Sequence, residues 1–262
     1  MSRSPNSVRL AWRNLRVNMD AASLVIIIGL PAMYLVFMGT MFVSVVPPFV
    51  VNGVTYDYKT WLTSGIIAFQ TVMAGTMGGS MLWIDRRLAM FAQILSGPFT
   101  RAQYLMGVII ATTAASLIGA LIMIVIAAPI GATLSFSLLG IGFVLLNLVV
   151  GGVFFCSLML FIAAKVDSNQ AYNSIQILIL FVINFVSTVF YPITSQTPQI
   201  LQYFSYINPL TYIADGIRSG FSDPAGIFTF QLGIETLVLI IETIVMFFLA
   251  YWTYTRVKVS RA

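Results

Sequence analysis

The stretch Ser137-LLGIGFVLLNLVVGGVFFCSLMLFIA-Ala164 decides the fold. It holds no charged side chain, and at a helical rise of about 1.5 Å per residue it is long enough to cross the roughly 30 Å hydrocarbon core of a bilayer. Its apolar residues run on continuously and do not alternate with period two, which suits a membrane helix and not a barrel strand. Five further runs of the same kind lie on either side of it, at Ala21 to Val46, Trp61 to Ile84, Tyr104 to Ala128, Tyr172 to Tyr191 and Phe230 to Tyr254.

Composition points the same way. With 59% hydrophobic residues, 8% charged residues and a mean hydropathy of +0.96, the chain lacks the polar surface a soluble globule needs. The expected fold class is an all-α integral membrane protein, a single domain over 1–262 with six transmembrane helices. The first run ends in Val46-Pro47-Pro48 without a small-residue cleavage pattern, so it is expected to be a retained span and not a signal peptide.

An even number of spans puts both termini on one side. Arg3, Arg9, Arg13, Arg16, Arg86, Arg87, Arg101, Lys165, Arg256, Lys258 and Arg261 then share a side, and only Lys59 and Arg218 fall on the other. By the positive-inside rule, the termini and the second and fourth connections are cytoplasmic, and the segments at 47–60, 129–136 and 192–229 face outward. A multi-pass protein of the cell (inner or plasma) membrane is expected. The net charge of +5 reads as topology and contact with an anionic inner leaflet, with no nucleic acid as partner.

Scarcity excludes several chemistries. One cysteine, Cys156, cannot form an internal disulfide, and a chain without histidine has no Cys/His metal site. Lys59, Lys165 and Lys258 never follow a glycine, so no phosphate-cradling Gly-x4-Gly-Lys loop exists. No catalytic residue, metal or cofactor is expected in this chain. If ATP drives it, another chain binds the ATP and Mg.

Three segments outside the spans carry information. From Asn6 to Asp20, apolar residues including Trp12 interleave with Arg9, Arg13 and Arg16, as in a helix lying at the membrane interface or in a basic flank that only sets orientation. In Asp85-RRLAMFAQILSGPFT-Arg101, Leu88, Phe91, Ile94 and Leu95 recur at helical spacing, Gly97-Pro98 stops the helix, and Thr100 can cap the next. Such a helix either docks a partner or packs under its own bundle.

The third segment follows Tyr191-Pro192. Ile200-LQYFSY-Ile207 and Asn208-PLTYIADGI-Arg218 are apolar pieces too short to span, expected as short helices re-entering the outer leaflet, the second capped by Asn208 with Pro209 in its first turn. Asp215 and Arg218 share a helix face, and as an exposed pair they would contribute little.

Polar side chains inside spans are costly and therefore few. Glu235 and Glu242 in the last span, Asn147 in the fourth, and Gln176 and Asn184 in the fifth are candidates for a substrate path or for structural hydrogen bonds between helices. Gly75 with Gly79, and Ala115 with Gly119, have the small-xxx-small spacing of close helix contacts.

The Asn208-PLTYIADGI-Arg218 run before the last span, the Trp61-LTSGII-Ala68 start of the second span, and the Asp85-Arg86-Arg87 loop ending in Pro98-Phe99-Thr100-Arg101 resemble the type-2 permease subunits of ABC exporters. The resemblance covers essentially the whole chain. It implies a homodimer, or a pair with a similar permease, with ABC ATPase subunits docked below and a hydrophobic, drug-like or lipid-linked substrate moved outward. On this resemblance Arg13, Arg16, Asp85, Arg86, Arg87, Leu88, Phe91, Ile94 and Leu95 would couple to the ATPase. Tyr203, Asn208, Pro209, Tyr212, Asp215 and Arg218 would form the outer gate. One departure is Leu88-Ala89-Met90-Phe91-Ala92, where many relatives carry a charged Glu-Arg-Gly-Thr-Leu-Glu type of sequence.

Two other classes predict features not found in the sequence. An ion- or proton-coupled secondary transporter calls for paired broken helices in an inverted repeat. An intramembrane enzyme calls for a nucleophile with its base, or a metal cluster.

Overall fold

The structure, a computed structural model, describes residues 6–18, 25–51, 53–88, 90–194, 196–222 and 230–256. Arg3, Asp20, Lys258 and Arg261 lie outside these residues, as do the side chains of Phe91 and Leu95. The chain opens with α1 (Asn6–Asn18), followed by a π-helical turn (Val25–Gly29) that runs into α2 (Leu30–Met41). A short antiparallel hairpin, β1 (Phe49–Val51) and β2 (Val54–Tyr56), pairs Val50 with Thr55 and turns at Gly53, whose φ of 81° suits glycine. Then come α3 (Tyr58–Arg87), α4 (Met90–Ser96), α5 (Arg101–Ile130), α6 (Leu138–Lys165), α7 (Asn169–Phe185), α8 (Gln199–Ile207), α9 (Pro209–Gly220) and α10 (Phe230–Thr255).

Local chemistry sets the helix starts. Thr100 and Gln103 form a reciprocal capping box at α5: Thr100 Oγ1 accepts from the Gln103 amide at 3.2 Å, and Gln103 Oε1 accepts from the Thr100 amide at 3.0 Å. Asp57 caps α3, Ser137 caps α6 and Ser168 caps α7 through the backbone amide three residues on. Asn208 caps α9 by accepting from the Leu210 amide at 3.0 Å, with Pro209 in the first turn.

Five helical segments among the described residues are long and apolar enough to cross a membrane: Val25–Ser44, α3, α5, α6 and Gln231–Thr255. The run expected at 172–191 is helical only to Phe185. Beyond it lies Val186-Ser187-Thr188-Val189, where hydroxyls and β-branched side chains favour local turns over a continued helix. Ser187 Oγ donates to the Asn184 carbonyl at 2.7 Å and accepts from the Val189 amide at 3.3 Å.

α3 forms the centre, nearly every side chain from Tyr58 to Leu82 being buried. It can lie this close to its neighbours because it is rich in small residues: a Cβ on Gly75 would stand 2.6 Å from Phe155 Cβ of α6. α9 fits between α3 and α6, burying Leu210, Ile213, Ala214 and Ile217. α8 is exposed along Ile200, Tyr203, Phe204 and Ile207. α7 buries Tyr172 at its start, where the hydroxyl donates to the Thr76 carbonyl at 3.2 Å, but leaves Leu178, Phe181, Val182 and Phe185 exposed.

Candidate functional site

Polar residues gather at the two ends of the bundle. At the end carrying α1 and α4, Arg13 Nη2 donates to both carboxylate oxygens of Asp85 at 2.7 Å. Tyr104 Oη donates to Asp85 Oδ2 at 2.8 Å and stacks on Tyr254 with ring centroids 5.8 Å apart. Arg101 Nη1 donates to the Thr255 carbonyl at 2.8 Å. Asp85 is 3% exposed, so its charge depends on these donors. The cluster ties α1, α3, α5 and α10 together.

α1 reaches this cluster because one face of it fits α5. Leu10, Ala11 and Asn14 are buried, and Gly107 of α5 leaves the space: a Cβ there would stand 2.8 Å from Leu10 Cβ. The opposite face carries Val8, Trp12, Arg16 and Val17 outward, Trp12 at 67% exposure. An amphipathic helix clamped to its own bundle on one side and apolar and basic on the other is the arrangement an interfacial helix needs.

The residues the resemblance assigns to ATPase coupling therefore divide. Arg13 and Asp85 face each other within the chain, and Arg86 turns back over Trp83, its guanidinium 4.7 Å from the ring. Arg16, Arg87 and Leu88 are exposed, and Ile94 of α4 is half-buried against the core.

At the hairpin end, Arg218 of α9 pairs with Asp215, lies 3.4 Å from the ring centroid of Trp61, and donates to the Thr188 carbonyl at 3.0 Å. The same carbonyl accepts from Trp61 Nε1 at 3.1 Å, and Thr188 Oγ1 donates to Asp215 at 3.0 Å. The pairing that the shared helix face makes plausible is formed, and it is not a surface pair: Arg218 is 3% exposed, because α9 lies inside the bundle and the indole covers the guanidinium. Through it α9 is joined to the start of α3 and to the turns that follow α7. Asn208 Nδ2 donates to the Ile183 carbonyl at 2.6 Å, a second link from α9 to α7. Tyr212 bonds the Tyr206 carbonyl, while Tyr203 is exposed on α8. A cavity of about 260 Å³ opens beside this knot.

The polar residues within the helices do not converge. Asn147 donates to its own helix at Phe143 and abuts Gly216 of α9; no hydrogen bond links Asn147, Gln176, Asn184 and Glu242 to one another. The sequence reading passed over Gln70, fully buried in α3 against Gly119 of α5 with neither amide atom hydrogen-bonded. Its signal was available, since it is the only amide in the run Trp61 to Ile84. Among the described residues no group of His, Cys, Asp or Glu has the grouping to hold a metal ion.

The family model described as ABC-2 type transporter matches residues 8–222. No curated protein matches the chain.

Proposed function

The chain belongs to the ABC-2 type transporter family, and from that premise we propose that it is the permease half of an exporter powered by a separate ATP-binding-cassette ATPase. The observation that carries the proposal is that the family match, residues 8–222, takes in α1, α4 and α9 together with the central helices. The Arg218 knot lies within the matched region, as does the Asp85 knot apart from Tyr254 and Thr255 of α10.

In this reading the exposed Arg16, Arg87 and Leu88 meet the ATPase, and the Arg13–Asp85 pair passes its movement inward. Because Arg13 Nη2 donates to both oxygens of Asp85, a shift of α1 draws on α3, and through Tyr104 on α5. At the far end Arg218 couples α9 to α3, so a rotation of α3 is felt at both ends. α9, short and built into the bundle, is the re-entrant element that closes the exit.

A second copy, or a similar permease, completes the conduit against the thinly packed α7, which leaves Leu178, Phe181, Val182 and Phe185 exposed. The positive-inside rule supports a reading with α1 and α4 on the cytoplasmic side of the cell membrane. The substrate is hydrophobic, drug-like or lipid-linked, in keeping with a bundle that exposes few polar side chains.

Reconstitution tests the proposal. Proteoliposomes holding the chain with its ATPase are expected to move substrate only with hydrolysable ATP, and deletion of residues 88–97 is expected to abolish flux. ATP-independent flux, or normal flux after the deletion, would overturn it.

A further inference from the structure

The cavity of about 260 Å³ at the hairpin end has three charged side chains in its wall, Asp215, Arg218 and Glu235. Two of them neutralise each other: Arg218 is spent on Asp215, the Trp61 ring and the Thr188 carbonyl. Glu235 is different. Its carboxylate accepts from the Gln231 amide at 3.0 Å and forms no salt bridge among the described residues. Glu235 is thus the one acidic side chain of the cavity wall without a basic partner among the described residues, and it lines the cavity together with Tyr206 and Tyr212.

A carboxylate beside aromatic rings is the chemistry that recognises an organic cation, the ring quadrupole and the charge both favouring ammonium over a neutral or anionic group. The volume lies just under the roughly 300–1,000 Å³ of small-molecule sites, which suits an amine head and excludes a large drug. A hard divalent cation would want about six oxygen ligands, and a single unpaired carboxylate is a poor start for it. We propose that this cavity binds an organic ammonium group, with Glu235 as its counter-charge and Tyr206 and Tyr212 as its aromatic walls. Its place on an exit path rests on the exporter reading, whereas the binding does not.

The test uses the full chain with its ATPase in nanodiscs of phosphatidylglycerol, which has no ammonium headgroup and leaves both faces open. Ser219→Cys places a thiol in the cavity wall; the native Cys156 is fully buried and silent. The ratio of labelling by a trimethylammonium methanethiosulfonate to labelling by its sulfonate counterpart, each corrected for the reagent's rate with a free thiol, is expected to be about tenfold or more higher with Glu235 than in Glu235→Gln, the effect of one nearby charge of low screening. Benzyltrimethylammonium is expected to slow the labelling, and its carbon isostere neopentylbenzene is not. Glu235→Gln is expected to remove that excess and to abolish the protection.

Protection by added phosphatidylcholine would identify a lipid headgroup as the source of the ammonium, and its absence a soluble amine. A labelling ratio unchanged by Glu235→Gln, or protection that survives that substitution, would overturn the proposal. If Ser219→Cys does not fold, Ser222→Cys reports on the same wall. Failed ATP-driven flux with protection intact would count against the exporter reading and leave the site standing.

Discussion

Asp85 shows how much depends on one side chain. Removing its partner by Arg13→Ala would leave a buried carboxylate with Tyr104 as its remaining named donor, at a cost of about 3 kcal/mol, the low end for buried pairs because the Arg13 side chain is 28% exposed. The expected result is a lowered thermal midpoint in detergent and a many-fold loss of ATP-driven flux; Asp85→Asn, which keeps one of the two acceptor oxygens, is expected to lose less of both. At the other end, Arg218→Lys retains the charge facing Asp215 but loses the planar group that covers Trp61 and reaches Thr188. A several-fold drop in flux is expected, and unchanged flux would show that the fork has no part in transport. Asp215 and Arg218 were legible in sequence as neighbours on one helix face; their burial was not, because it depends on Trp61, over a hundred residues away in the chain. Arg13 and Asp85 gave no pairing signal for the same reason.

The long elements were the readable ones, since a continuous apolar run needs no partner to identify it, and Thr100 and Asn208 announced their helices through local chemistry alone. The end of α7 was harder: Val186 to Tyr191 is as apolar as a helix, and only the hydroxyls of Ser187 and Thr188 hint at turns. The seating of α1 on α5 was also hidden, because it turns on the space at Gly107. Gly107→Ala is expected to cost about 1–3 kcal/mol by forcing α1 away from its groove, and to open α1 to limited proteolysis. Gly142→Ala on α6 meets nothing within 4 Å and is expected to be neutral or slightly stabilising, since alanine favours a helix by roughly 0.5–1 kcal/mol. Equal protease sensitivity of the two variants would mean that α1 is not held by this contact.

Across the described residues, the charged groups sit mainly at two ends and the length between them is largely apolar. The sequence conveyed this through its charge distribution, and the family match implies an ABC ATPase partner. Thiol accessibility in intact cells checks the orientation: a cysteine at Arg16 is expected to be shielded from impermeant reagents and one at Tyr203 to be labelled. The central claim, that this chain is worked by a separate ATPase, is tested most directly by purifying it gently from native membranes and quantifying what accompanies it. The account predicts an ATP-binding-cassette ATPase in equal amount, lost on deletion of residues 88–97; a fully active chain recovered with no ATPase attached would contradict it.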